Sequence, residues 1–221
     1  MDTSPDFNWP SRLPLIAILR GIRPDEALVH AEALVEAGFD AIEVPLNSPD
    51  WPASIGALVA QFGERVLIGG GTVLRPQQVD ELADLGAKLM VTPNTRPALI
   101  AQAVRRGLTV AAGFASASEA FDALDAGAQA LKLFPAATYG PGHVQALRAV
   151  LPPVPLFAVG GINPANLADY LRAGCIGAGL GGDLYKAGQD PARTRGQAAA
   201  FIAAYRAATH PATPTQPGAT A

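Results

Sequence analysis

One lysine occupies an unusual position for a charged side chain. Lys132 lies within the apolar run 130–134, which has the composition of a buried β-strand and is followed by Pro135. A buried ammonium group is costly unless it is paired or loses its proton. A lysine that loses its proton becomes a nucleophilic amine, able to form a Schiff base with a carbonyl compound. The alternative interpretation is a lysine at a strand end that extends into solvent.

Glu43 is the second candidate for chemistry. It interrupts the apolar run 41–46, the second predicted strand, whereas Lys132 lies on the sixth. In a closed barrel of eight strands these two strands face each other, and alternate strands contribute side chains to one layer. The amine could then act as nucleophile while the carboxylate moves protons. The alternative is a structural ion pair without chemistry, although such buried pairs are seldom a net source of stability.

The elements that position these residues repeat regularly. Short apolar runs alternate eight times with amphipathic helical stretches between residues 15 and 207. Apolar runs without strict alternation are typical of parallel strands covered by helices. This order predicts a (β/α)8 TIM barrel, with an open doubly wound sheet as the alternative. We expect a leader over 1–12, one barrel domain over 13–208 and a disordered Pro/Thr/Ala-rich tail over 209–221.

Paired glycines follow the seventh and eighth predicted strands, at 160–161 and 181–182. In such barrels the loops after these strands often bind phosphate together with a short extra helix. Glycine lets backbone N–H groups approach phosphate oxygens. Residues 183–186 are predicted to form that helix, with Asp183 as its N-cap. Tight turns that bind nothing are the alternative, since glycine is the usual turn residue.

Two further polar side chains end predicted strands on the same side. Arg20 follows the first strand and could bind a carboxylate with its planar guanidinium group, or it could be an ordinary surface arginine. Thr72 follows the glycines 69–71, which are predicted to lead out of a third strand over 66–69. Its hydroxyl suits the same carboxylate.

Composition excludes several classes of function. A net charge of −3 gives no electrostatic basis for binding nucleic acid or an anionic membrane. No apolar run approaches the roughly 20 residues of a membrane span. The single cysteine, Cys175, excludes an internal disulfide, and the scattered histidines do not resemble a metal site. His143 is predicted to be a solvated residue in a helix that begins at Pro141 or Gly142. The N-terminus lacks the features of a signal peptide, so we expect a cytoplasmic protein.

The chain resembles the 2-keto-3-deoxy-6-phosphogluconate/6-phosphogalactonate aldolase family. Residues 127–140 match the Schiff-base lysine signature of the family throughout, and residues 38–46 match its glutamate signature less strictly. The resemblance extends from about residue 14 to residue 207. The segments 43–49 and 157–161 are similar to the 6-phosphogalactonate branch, and Val159 stands where the gluconate branch tends to carry threonine near the substrate C4 hydroxyl.

This chain also departs from relatives at three positions. Pro45 and Asn47 stand where the gluconate branch usually has threonine and arginine, and Gly182 stands where relatives often have serine. The last difference would preserve a backbone contact with phosphate but not a hydroxyl contact.

The resemblance implies a homotrimeric barrel that needs no metal or cofactor. It implies cleavage of 2-dehydro-3-deoxy-6-phosphogalactonate to pyruvate and D-glyceraldehyde 3-phosphate in galactonate catabolism. Lys132 would form the Schiff base and Glu43 would move protons. The other implied contacts are Arg20 and Thr72 for the carboxylate end, Pro93 and Phe134 as apolar walls, and Val159, Gly160, Gly161, Gly181, Gly182 and Asp183 for the C4 region and phosphate.

Three alternative functions remain open from the sequence. The first is the same reaction with the 6-phosphogluconate epimer as the main substrate. The second is a phosphosugar epimerase or isomerase, in which Lys132 acts only as acid or base. The third is a non-catalytic barrel that binds a phosphorylated metabolite, although such a protein would gain nothing from a carboxylate facing the lysine.

Overall fold

Eight parallel strands form a closed barrel in this chain, with each strand paired to the next and the last paired to the first. The structure, a computed structural model, describes residues 9–210. The strands are β1 Leu15–Ile18, β2 Ala41–Pro45, β3 Leu67–Gly71, β4 Leu89–Val91, β5 Thr109–Phe114, β6 Ala130–Leu133, β7 Leu156–Val159 and β8 Gly177–Leu180. The helices are α1 Pro24–Ala37, α2 Trp51–Phe62, α3 Pro76–Asp84, α4 Pro97–Arg105, α5 Ala117–Asp125, α6 Ala136–Arg148, α7 Leu167–Arg172 and α8 Pro191–Thr209. The predicted (β/α)8 TIM barrel is confirmed.

Local sequence signals set many of the helix ends. α1 begins at Pro24, whose fixed φ suits the first turn of a helix, and it ends at Gly38, which adopts a left-handed φ of 111°. α5 begins with a capping box in which Ser116 and Glu119 bond each other's backbone N–H groups. These starts and stops return the chain to the next strand, so that all strand C-termini meet at one end of the barrel.

The barrel interior has its own small apolar core, separate from the layer between strands and helices. Trp9 belongs to this interior core, and its ring centroid lies 4.7 Å from that of Phe157 on β7. The backbone N–H groups of Arg12 and Leu13 donate to the carboxylate of Asp40. The packed barrel therefore includes the end of the predicted 1–12 leader, while residues 1–8 and most of the predicted tail lie outside the described residues.

Local predictions were wrong at residues 69–71 and 183–186. Residues 69–71 are not a loop, since β3 continues through them and pairs with residues 43–45 of β2. The predicted helix start at Pro141 or Gly142 is confirmed for the main part of α6, because Gly140, with φ 76° and ψ 168°, separates that part from an additional first turn that begins at Ala136. The predicted helix over 183–186 is a single turn instead. At 69–71 the pairing with β2 overrides the local turn signal.

Candidate active site

Lys132 and Glu43 line the same small cavity inside the barrel. The cavity measures about 10 Å³, which is close to what one water molecule requires. Both side chains are almost fully buried, with exposed fractions of 5% and 2%. The remaining walls are mostly apolar, formed by Ile16, Ile18, Val91, Ala111, Phe157, Val159 and Gly179. An amine and a carboxylate thus face a space that excludes bulk water.

The surroundings of Lys132 favour the neutral amine. Burial lowers the pKa of the ammonium group, Glu43 opposes this shift, and the positive charge of Arg20 adds to it. Within residues 9–210, Lys132 takes part in no ion pair within 4.0 Å. Its Nζ lies 5.1 Å from the ring centroid of Phe134. The lowered pKa shifts Lys132 toward the neutral form, which nucleophilic attack on a carbonyl requires.

The surroundings of Glu43 favour a carboxyl that exchanges protons near neutral pH. Burial raises its pKa to about 7, against the opposing effects of Lys132 and Arg20. Its Oε2 is buried and has no hydrogen-bond partner within residues 9–210. A general acid or base works best when its pKa is near the working pH. Glu43 therefore has the burial, the unpartnered oxygen and the pKa of a proton-transfer group.

The atoms that surround Gly71 and Gly69 in β3 leave no room for a larger side chain. A Cβ atom built at Gly71 would lie 1.3 Å from Oε2 of Glu43, and one built at Gly69 would lie 2.0 Å from the carbonyl oxygen of Leu89. Only glycine leaves room for the carboxylate at this register position. In the sequence these glycines are only a weak signal, because nothing local shows that a glutamate from β2 lies against them.

Replacing Gly71 with alanine is expected to displace the Glu43 carboxylate and to lower kcat by about 100-fold, the lower end of the effect of losing a general acid–base group. The measurement is steady-state kinetics, together with a thermal melt to show that the variant is folded. Gly196→Ala on α8 is the control, because a Cβ there meets no atom within 4 Å. Full activity in Gly71→Ala would mean that the observed position of Glu43 is not the working one.

Arg20 and Thr72 lie next to each other at the barrel mouth. Arg20 donates from Nη1 to Oδ1 of Asn47 at 2.8 Å and from Nη2 to Oγ1 of Thr72 at 3.4 Å. Thr72 has a left-handed φ of 56°, which is a strained conformation for a β-branched residue. The contact with Asn47 was missed from the sequence, since no local pattern joins these loops. The structure brings a guanidinium group and a hydroxyl together where a carboxylate could bind.

The glycine pairs after β7 and β8 leave backbone donors free. The N–H groups of Gly161, Gly182 and Asp183 donate to no acceptor within residues 9–210. Gly160 and Gly161 adopt left-handed φ values of 95° and 77°. Because β7 and β8 are neighbours in the barrel, the two loops present these donors on adjacent strands. Such a set of N–H groups suits an anion.

Asp183 is not the N-cap that was predicted. The backbone N–H groups of Leu184 and Tyr185 both donate to the carbonyl of Gly181, at 2.8 and 2.9 Å. This closes one turn and leaves the Asp183 side chain exposed. The side chain of Asp183 therefore has no capping role, although its N–H group is among the free donors.

The two predicted apolar walls lie in different places. The ring of Phe134 is half-exposed and lies over Lys132. Pro93 is half-buried in the loop after β4, and it is not among the residues that line the cavity. The loop around Pro93 is fixed by Thr92, whose hydroxyl donates to the carbonyl of Asn94 at 2.8 Å and accepts the N–H of Gly113 at 3.0 Å.

The histidines and acids do not form a metal site in the described chain. Within residues 9–210, no group of three or more His, Cys, Asp or Glu side chains could hold a metal ion. His143 is not simply solvated, because its Nε2 lies 2.8 Å from the carbonyl oxygen of Ala115 and its ring stacks on Tyr139. In the same range, no helix has the length and apolar character needed to span a membrane.

The fold and the site define a (β/α)8 barrel with a lysine and a glutamate buried at one interior cavity. The family described as "Aldolase: KDPG and KHG aldolase" matches residues 9–194. The 2-dehydro-3-deoxy-6-phosphogalactonate aldolase of Escherichia coli K12 is 59% identical over 203 residues, covering 91% of this chain and 99% of that protein. The KHG/KDPG aldolase of the same organism is 32% identical over 170 residues, covering 74% and 78%.

Solved structures agree with this assignment. One described as native KDPGal superposes with a TM-score of 0.90 at 59% identity, covering 91% of this chain and 98% of that one. A protein cage "designed by fusing symmetric oligomeric domains" gives 0.89 at 59% identity, covering 90% and 74%. A KDPG aldolase from Legionella pneumophila with pyruvate captured as a covalent carbinolamine gives 0.75 at 28% identity, covering 89% and 94%. The chain belongs to the KDPG and KHG aldolase family.

Proposed function

We propose that this protein is a class I aldolase that cleaves 2-dehydro-3-deoxy-6-phospho-D-galactonate to pyruvate and D-glyceraldehyde 3-phosphate in galactonate catabolism. The observation that carries the proposal is the buried Lys132 amine beside the unpartnered Glu43 carboxyl at one cavity. The choice of substrate rests on identity, which is 59% to the galactonate enzyme of Escherichia coli and 32% to its KHG/KDPG aldolase.

The proposed reaction uses the pair in sequence. The neutral amine of Lys132 attacks the C2 ketone to form a carbinolamine, and Glu43 supplies the proton with which water leaves to give an iminium ion. The iminium accepts the electrons of the C3–C4 bond as the Glu43 carboxylate takes the proton of the C4 hydroxyl, which releases glyceraldehyde 3-phosphate. The remaining enamine takes a proton at C3, and water then hydrolyses the imine to pyruvate and free Lys132. No metal or cofactor is needed for these steps.

The polar groups around the mouth give each end of the substrate a partner. Arg20 and Thr72 would bind the carboxylate, with Pro93 and Phe134 as apolar walls. Phosphate would lie against the loops that follow β7 and β8, on the backbone of Gly160, Gly161, Gly181, Gly182 and Asp183. The free N–H groups of these loops support this orientation. With its two ends bound at these sites, the substrate would present C2 to the Lys132 amine.

Val159 is proposed to select the C4 epimer, because it lines the cavity and is 5% exposed. A methyl group in place of a hydroxyl removes a hydrogen-bond partner for one C4 configuration. Val159→Thr is expected to shift the ratio of kcat/KM toward the 6-phosphogluconate epimer by about tenfold, the effect of one net hydrogen bond. Kinetics with both epimers measures this ratio. The exposed Val29→Thr on α1 is the control, and an unchanged ratio in Val159→Thr would remove Val159 from specificity.

The decisive test of the function is borohydride trapping with pyruvate, read by intact and peptide mass spectrometry. A reduced pyruvyl adduct on Lys132, with release of pyruvate from the phosphorylated substrate, is the expected result. A folded protein that binds sugar phosphates without an adduct or cleavage would instead favour the epimerase or the non-catalytic binding protein. Higher kcat/KM with the gluconate epimer would keep the mechanism and change the substrate.

Assembly and location complete the proposal. We propose a homotrimer, supported by the cage whose symmetric oligomeric domains include a chain 59% identical to this one. We also propose a cytoplasmic location, since an anionic sugar acid phosphate does not cross a membrane unaided. Light scattering measures the first of these directly.

A further inference from the structure

Residues 181–190, which we call the β8 loop, contain a side chain that hydrogen-bonds two backbone groups of the same loop. Gln189 donates from Nε2 to the carbonyl of Leu184 at 3.0 Å, and its Oε1 accepts the N–H of Lys186 at 3.1 Å. Leu184 is buried and belongs to the turn that carries Gly182. Gln189 therefore holds the backbone directly after the free N–H groups of Gly182 and Asp183.

Gln189 is held in turn by two buried residues on neighbouring helices. Its Nε2 donates to Oγ1 of Thr194 on α8 at 2.7 Å, and that oxygen lies 2.8 Å from Nδ1 of His30 on α1. Thr194 and His30 are 0% and 1% exposed. Burial lowers the pKa of His30, so the ring is neutral at neutral pH. The His30 ring also meets Tyr185 of the same loop edge-on, at 4.9 Å between centroids.

These polar side chains are remote from the reacting groups. None of the three lines the cavity of Lys132. Burying a hydroxyl and an imidazole gives little net stability, because apolar residues of similar volume would serve the interior as well. What the connected bonds add is a single position for the β8 loop relative to α1 and α8.

We propose that Gln189, Thr194 and His30 are positioning residues for the phosphate-binding backbone of the β8 loop. They set where the N–H groups of Gly182 and Asp183 lie, and through them the affinity for the phosphorylated end of the substrate. The inference rests on the proposed function. A network of this kind acts on phosphate binding and leaves the chemistry at Lys132 unchanged.

The test compares phosphorylated and unphosphorylated substrates in Gln189→Leu. We expect the KM for 2-dehydro-3-deoxy-6-phosphogalactonate, and the inhibition constant of inorganic phosphate, to rise about tenfold, with kcat nearly unchanged. The kcat/KM for unphosphorylated 2-dehydro-3-deoxygalactonate should stay at the wild-type value, as should borohydride trapping with pyruvate. Thr194→Val should act in the same direction, and the double variant should be no worse than the stronger single one, because both changes break one connected network.

The controls separate positioning from general stability. Gln102→Leu on α4 removes a comparable bond, from Nε2 to the carbonyl of Pro76 at 3.0 Å, on another side of the barrel. Gln189→Glu, at a half-buried site, keeps the acceptor for Lys186 but cannot donate to Leu184, and should retain the defect.

Two results would overturn the inference. Equal losses of kcat/KM for both substrates would show a merely structural role, and an unchanged inhibition constant for phosphate would show that the loop position does not matter. A wild-type protein that cleaves neither substrate would overturn the proposed function itself, which is a different outcome from active wild type with unaffected variants.

Discussion

Replacing Lys132 with methionine is expected to reduce turnover to background and, at the same time, to raise the melting temperature. Turnover disappears because methionine cannot form a Schiff base. Stability rises because the variant no longer buries an ionisable amine: methionine fills the same apolar walls without a charge. The gain from replacing a buried polar amine with an apolar side chain is about 1–3 kcal/mol. Kinetics and thermal melts at about pH 6 measure both effects.

The protonation state of Glu43 in Lys132→Met decides the pH at which this experiment is done. Without its cationic neighbour, the carboxyl loses the Coulombic effect that now lowers its pKa, so its pKa rises further above about 7. It then stays protonated at pH 6 and leaves no buried charge. Lys88→Met, at an exposed lysine, is the control and should change neither property. Residual turnover above background in Lys132→Met would contradict the mechanism, and a lower melting temperature would contradict the account of burial.

Replacing Glu43 with glutamine is expected to lower kcat by about 10²–10⁴-fold, the usual contribution of a general acid–base group. The amide has nearly the same shape but cannot transfer a proton. Carbinolamine formation and dehydration should therefore become slow, while borohydride trapping with pyruvate still yields an adduct at Lys132 after long incubation. Single-turnover kinetics measures the slow step. Wild-type kcat in the variant would assign proton transfer to another group.

The pH dependence gives Glu43 a second signature. Its pKa of about 7 predicts that kcat/KM of the wild-type protein falls above neutral pH, as the carboxyl loses the proton that it must supply to the departing water. This fall in kcat/KM should be absent in Glu43→Gln. Glu32→Gln, at an exposed glutamate on α1, should keep the wild-type profile. An unchanged pH profile in Glu43→Gln would show that another group causes this pH dependence of kcat/KM.

The raised pKa of Glu43 should also make the stability of the folded protein depend on pH. Folding raises the pKa of Glu43 from 4.5 to about 7, so folding favours its protonated form. That contribution is complete below the unfolded pKa and is lost as the pH rises through about 7. Glutamine is neutral throughout and does not lose it. The melting temperature of Glu43→Gln relative to wild type should therefore increase from about pH 5 to about pH 8.

The sequence alone was sufficient to predict the barrel and the lysine–glutamate pair at its interior cavity. Eight repeats of apolar run and helix have few compact solutions other than a closed parallel barrel. Lys132 and Glu43 stood out because each is a charged residue inside an apolar strand, an anomaly that local composition reveals. The N-caps and C-caps, such as the box at Ser116, were also readable because capping involves residues only three positions apart.

Tertiary structure decided the features that depend on residues far apart in the chain. Gly71 is required by a carboxylate from β2, Arg20 is held by Asn47, and Trp9 fills the barrel interior beside Phe157. The turn at 181–185 and its support by Gln189 replaced a helix that local signals favoured. Periodicity and capping reveal which residues share a strand or a helix, whereas contacts between loops are fixed only when the barrel closes and brings their strand ends together.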